Sequence, residues 1–74
     1  MRVFDPSRIR ERRERLGMTK TRLAKCAEIT RTHMFEVERG SSVPTAGVIA
    51  KLAHFLRVRE SYFFVESVSY KKRK

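Results

Sequence analysis

Residues Lys20 to Arg39, KTRLAKCAEITRTHMFEVER, decide the fold. The apolar positions Leu23, Ala24, Ala27, Ile29, Met34 and Val37 do not share one continuous helical face; they fit two stripes that meet at Ile29. Thr19 and Thr30 each stand just before a helical run, where a hydroxyl accepts a bond from a backbone N–H that has no partner of its own. These two caps predict two short helices, about 20–27 and about 31–39, joined by a tight turn at Glu28.

Outward from this pair, Asp5-Pro6 is a helix start: Asp caps, and Pro occupies the first helical position, where its missing N–H costs nothing. A first helix is expected over about 6–16, with Ile9 and Leu16 sharing a core-facing side and Gly17 as its stop. Arg8, Arg10, Arg12 and Arg15 alternate with Glu11 and Glu14, and Arg12 and Arg15 in particular read as a solvated face. Downstream, Gly40 ends the third helix, residues 41–44 form a loop, and Thr45 caps a fourth helix over about 46–56. Its set Val48, Ile49, Leu52, Ala53, Phe55 and Leu56 is wide enough to anchor the core, and His54 falls outside.

Residues 58–64 predict a short fifth helix. Beyond it Phe64, Glu66, Val68 and Tyr70 alternate as a strand does. A lone strand is unstable and needs a partner. A homodimer through Phe63, Phe64, Val65, Val68 and Tyr70 is therefore expected; the alternative is a frayed tail from which Phe63 alone packs down. The organisation expected is one domain over 1–74: an arm at 1–4, a helical core at 5–64 and an extension at 65–74 ending in the basic run KKRK.

Eighteen Lys and Arg against eight Asp and Glu give a net charge of +10, an excess that calls for an acidic partner, nucleic acid first. A domain of this size buries only about 60% of its unfolded surface, which leaves little room for an elaborate cleft. No paired carboxylates, nucleophile-and-base set or phosphate-cradling glycine loop points to an enzyme. Cys26, His33 and His54 show no recurring ligand spacing, so neither a metal nor a cofactor is expected. No apolar run long enough for a membrane span is present, and the opening MRVFDPSRIR lacks the apolar core of a secretion signal. A cytoplasmic, nucleoid-associated protein is expected.

The joint pattern of Leu23, Ala24, Ala27, Ile29, Met34 and Val37, followed by Glu38-Arg39-Gly40 and then Pro44, resembles the helix-turn-helix domain of the phage repressor and Cro class, the XRE-like family. The resemblance covers about residues 8–64. It implies an all-α, compact five-helix, lambda-repressor-like fold with a possible short dimerising strand at its C-terminal end. The opening VFDPSRIR and the later YFF are similar to the N-terminal domain of metallopeptidase-linked regulators, although this sequence has no HExxH. One departure from the family is Glu28 where Gly is usual; a left-handed backbone there costs a side-chain-bearing residue about 1 kcal/mol.

The resemblance also assigns roles. Arg13 is expected to pair with Glu38, tying the first helix to the end of the third. The start of the second helix is expected to lie near the DNA backbone, which makes Thr19, Lys20 and Arg22 phosphate contacts, and Thr30, Arg39 and Ser41 join them. The third helix becomes the recognition element. With Met34 and Val37 inward, Arg31, Thr32, Phe35 and Glu36 face the bases: Arg31 toward guanine, Thr32 and Phe35 toward a thymine methyl, Glu36 toward a cytosine amino group. His33 reads equally as a base or phosphate contact or as a solvated side chain. The other reading of Phe35 is that its ring folds back over Ile29 or an Arg stem.

The leading expectation is a sequence-specific regulator bound as a homodimer to a double-stranded, pseudo-palindromic DNA operator, with RNA polymerase as a further partner. Two alternatives stand beside it. One is an antitoxin whose exposed aromatics at Tyr62 to Phe64 hold a cognate toxin; the other is a non-specific nucleic-acid binder driven by charge alone.

Overall fold

Three threonines start three of the helices. In the computed structural model, which describes residues 1–67, the hydroxyls of Thr19, Thr30 and Thr45 accept from the backbone N–H of Arg22, His33 and Val48 at 3.0, 3.0 and 3.3 Å. They open α2 (Lys20–Ala27), α3 (Arg31–Arg39) and α4 (Ala46–Leu56). Asp5 does the same for α1 (Ser7–Arg15), its carboxylate accepting from both the N–H and the hydroxyl of Ser7.

All four helices also stop alike. A residue just past each turns left-handed: Glu28, Gly40 and Arg57 directly after α2, α3 and α4, and Gly17 two positions after α1. The next amide then reaches back: Met18 to the Arg13 carbonyl, Ile29 to Ala24, Ser41 to Glu36 and Val58 to Ala53, at 2.9–3.1 Å. This closure satisfies carbonyls that the helix leaves without donors. It also throws an apolar side chain back onto the core at three of the four ends, by Met18, Ile29 and Val58.

The core itself is Ile9 from α1, Leu23, Ala24 and Ala27 from α2, Met34 and Val37 from α3, and Ile49, Leu52, Ala53 and Leu56 from α4, closed by Phe63. The larger of these contribute about 1.5–3 kcal/mol each by leaving water.

Three expectations need correction. Among the described residues there are four α-helices, not five: residues Glu60–Phe63 make only one 3₁₀ turn, too short to continue before the chain goes extended at Phe64. The N-terminal arm is a strand, β1 (Arg2–Phe4), and it pairs antiparallel with β2 (Phe64–Glu66) in the register Arg2 to Glu66, Val3 to Val65 and Phe4 to Phe64. The strand expected to seek a second subunit thus finds its partner within its own chain. Phe63, counted as a dimer contact, has no exposed surface and packs with Phe4 and Tyr62, while Phe64 stacks edge-on against Phe4. Val68 and Tyr70, the rest of the expected dimer set with Val65, lie outside the described residues, as does the KKRK run.

Leu16 is the third correction. It stands one residue past α1, off the helical register, so the seven-residue spacing from Ile9 no longer puts it inward and it stays 39% exposed.

Candidate nucleic-acid interface

The two alanines of α2, Ala24 and Ala27, keep its inner side small, so that α3 crosses close against it through Met34 and Val37. The turn between them holds its left-handed residue, Glu28, at φ 60° and ψ 42°. Lys51 of α4 bonds the Glu28 carboxylate at 2.9 Å and holds its pKa below the ordinary value, first through that hydrogen bond and then through charge. The turn is thereby fastened to the helix behind it.

A second tie fixes the far end of α3. Arg13 Nε donates to Glu38 Oε2 at 2.7 Å and Arg13 Nη2 to Oε1 at 3.1 Å, a two-pronged contact with both side chains more than nine-tenths buried. Arg13 Nη1 also donates to the Met18 carbonyl at 2.9 Å, so the guanidinium serves α1, its exit turn and α3 together. Such forked pairs have strict geometry, which fixes the orientation of α3 as well as its position.

The outer side of α3 is what remains. Arg31 and Thr32 are exposed at its start, His33 and Glu36 are half-buried, and His33 Nδ1 lies 4.0 Å from Glu36 Oε1. These four present the mixed donors and acceptors that base edges require. Thr30 and Thr19 spend one acceptor site on their caps and stay exposed. At the other end, Arg39 and Ser41 are joined by a 3.4 Å contact, and Ser41 Oγ donates to the Glu36 carbonyl.

Phe35 is placed differently from the rest of the outer row. Its ring is 48% exposed, and it has Lys20 Nζ at 4.3 Å and the Arg39 guanidinium carbon at 5.4 Å from its centre. Contacts of this kind are worth about 0.5–1 kcal/mol each at exposed sites. The ring therefore does not stand free in water: it lies against Lys20 and Arg39, which brings it near the Arg-covering alternative. Arg22 does not join Lys20: it lines a separate shallow cleft with Leu16, Met18, Cys26, Phe55 and Arg57.

Sequence reasoning missed three arginines of α1. Arg12, read as solvated, donates through Nε and Nη2 to the Leu56 carbonyl and so caps α4. Arg8 donates to the Tyr62 carbonyl at 3.1 Å and lies over the Tyr62 ring. Arg10 lines the cleft that holds Lys20, Phe35, Glu38 and Arg39. A usable signal for Arg10 was its place three residues before Arg13, on the same side of the helix. The exposed aromatic patch that an antitoxin reading needed at Tyr62 to Phe64 is not formed, since Phe63 is buried and its two neighbours are half-buried.

Among the described residues no helix is long and apolar enough to cross a membrane. Comparison with known proteins bears on the same elements. The family pattern described as helix-turn-helix, HTH_3, matches residues 9–63. No curated protein sequence matches the chain. Among solved structures, the restriction-modification controller protein C.AhdI from Aeromonas hydrophila is 30% identical with a TM-score of 0.75, over 80% of this chain and 89% of that one. The P22 c2 repressor, solved in complex with a synthetic operator, is 23% identical with a TM-score of 0.77, over 82% of this chain and 92% of its own. A solution structure of the DNA-binding domain of the same repressor superposes equally well, and at this identity both likenesses bear on the fold. With the paired helices α2 and α3 capped, turned and clamped as described, the chain belongs to the XRE-type helix-turn-helix family of DNA-binding transcriptional regulators.

Proposed function

We propose that the protein is a sequence-specific regulator that lays α3 in the major groove of double-stranded DNA and acts by occupying a promoter. The observation that carries this reading is the polar outer row Arg31, Thr32, His33 and Glu36 on a helix whose back is locked by the buried Arg13–Glu38 pair. A helix held from behind with donors and acceptors turned outward is suited to reading base edges, each good pair giving about 1–3 kcal/mol of discrimination. Arg31 donates to guanine, Thr32 meets a thymine methyl, Glu36 accepts from a cytosine amino group, and His33 contacts a base or the neighbouring phosphate. Thr19, Lys20, Arg22, Thr30, Arg39 and Ser41 hold phosphates on either side.

The likeness to a repressor solved on an operator, and to a restriction-modification controller, supports DNA as the partner. The regulator binds as a homodimer to a pseudo-palindromic operator with half-sites about one helical turn apart. Phe64 and Val65 on β2 are the half-buried residues left to serve that contact. Selection from a random DNA pool tests the proposal. A two-fold-related winner bound at least about a thousandfold tighter than scrambled duplex is expected. A pool that yields no preferred sequence would overturn it in favour of bulk attraction by positive charge.

A further inference from the structure

Two cations lie over one aromatic ring, and a third lines the cleft beside it. Lys20 comes from the first position of α2, Arg39 from the last of α3, and Arg10 from α1, and with Phe35 and Glu38 they line a cleft of about 220 Å³. Like charges brought this close repel, and a protein ordinarily offsets that with a carboxylate. The carboxylate at hand is Glu38, but both its oxygens are taken by Arg13 and its side chain is 4% exposed. Among the described residues, none of Arg10, Lys20 and Arg39 makes a salt bridge with an acidic side chain.

What the cleft has instead is Phe35. The negative face of an aromatic ring attracts cations without cancelling their charge. A carboxylate in its place would fix Lys20 and Arg39 equally well, yet would leave them neutralised. The ring gathers them and leaves their charge available to a ligand.

We propose that Phe35 is the floor of a phosphate clamp, on which Lys20 and Arg39, joined by Arg10, are preassembled to grip one backbone phosphate of the DNA. The site rests on the DNA-binding function proposed above and gives Phe35 a different role from the one its sequence position suggested: it is a positioning residue, not a reader of thymine. Arg10 is a phosphate contact supplied by α1, outside the helix-turn-helix itself. The chemistry expected of the occupant is a phosphodiester held by several donors on one side, with the first amides of α2 close by.

The test uses the full chain as wild type, Phe35→Leu and Phe35→Trp, with two duplexes, the selected operator and a scrambled sequence. Leucine keeps an apolar surface able to touch a thymine methyl but offers cations no π face; tryptophan keeps the face. Two readouts are taken. In the free protein, the side-chain methylene protons of Lys20 are expected to show a ring-current shift that Phe35→Leu abolishes and Phe35→Trp keeps. In the complex, Phe35→Leu is expected to weaken operator and scrambled duplex by the same factor, about three- to tenfold. Its salt dependence should be shallower by about one phosphate contact, with base preference unchanged at every position. Phe35→Trp should stay near wild type, and Arg10→Ala should behave like Phe35→Leu.

A loss confined to the operator, with altered preference at one base, would make Phe35 a base reader and overturn the clamp. Unchanged affinity in Phe35→Leu would overturn it as well, while leaving the regulator reading intact. A wild-type protein that binds neither duplex overturns both.

Discussion

Arg13 and Glu38 make the clearest case of a single pair deciding how α3 is held. Because both side chains are nearly water-free, Arg13→Ala or Glu38→Ala strands a charge in the interior, and either should lower stability by about 3–5 kcal/mol in denaturant unfolding. A double-mutant cycle is expected to show strong coupling; independent, additive losses would contradict the geometry. Glu28 behaves otherwise, since it is exposed and strained rather than buried. A carboxyl whose pKa is lower in the folded state than in the unfolded stabilises the fold above its unfolded value, and that help is lost as the pH falls through the lowered folded value. Glu28→Gly relieves the left-handed strain at every pH but forfeits the Lys51 contact only where Glu28 is charged. Its gain in melting temperature should accordingly be larger at acid pH than near neutrality. On the outer row, Arg31→Ala or Glu36→Ala should change the preferred base at one operator position, whereas Lys20→Ala should weaken all sequences alike, as binding to operator libraries would report.

At the scale of elements, what the sequence discloses is what is local. Each helix start is written in a Thr or Asp within three residues of the amide it caps, and two of the stops in Gly17 and Gly40, whereas Arg57 carries no local sign that it turns left-handed. These are short-range events, and the helix bounds follow from them to within a residue or so. The hairpin was not legible because its halves stand at opposite ends of the described chain. The alternation that begins at Phe64 announces a strand, but RVF is too short to announce its partner, and nothing local says that they meet. The same limit applies to the interface. Outward positions on α3 follow from the spacing of Met34 and Val37, but the gathering of Arg10, Lys20, Phe35 and Arg39 around one cleft depends on how three helices cross. The hairpin is open to test. Phe4→Ala removes the ring that touches both Phe63 and Phe64, and should cost about 2 kcal/mol while leaving the helical signal in circular dichroism unchanged at low temperature.

For the molecule as a whole, a charge of +10 on a small body sets two opposite responses to salt. Screening over about 10 Å at 0.1 M eases self-repulsion, so the melting temperature of the free protein should rise with ionic strength. Affinity for DNA should fall over the same range, linearly in log terms, with a slope near −0.9 per phosphate neutralised. A melting temperature that falls with salt would mean that the charges are arranged attractively in the free protein.

The pairing of β1 with β2 bears, finally, on the order in which the chain takes shape. The bond from the Arg2 guanidinium to the Phe64 carbonyl spans 62 positions, against the short range over which α2 finds α3. Closing so large a loop is entropically dear until the helices have drawn its ends together. The hairpin is therefore the last piece to assemble and the first to come undone. In hydrogen exchange, the amides of Asp5 and Ser67, which bond across its two ends, should lose protection ahead of those in the middle of α4.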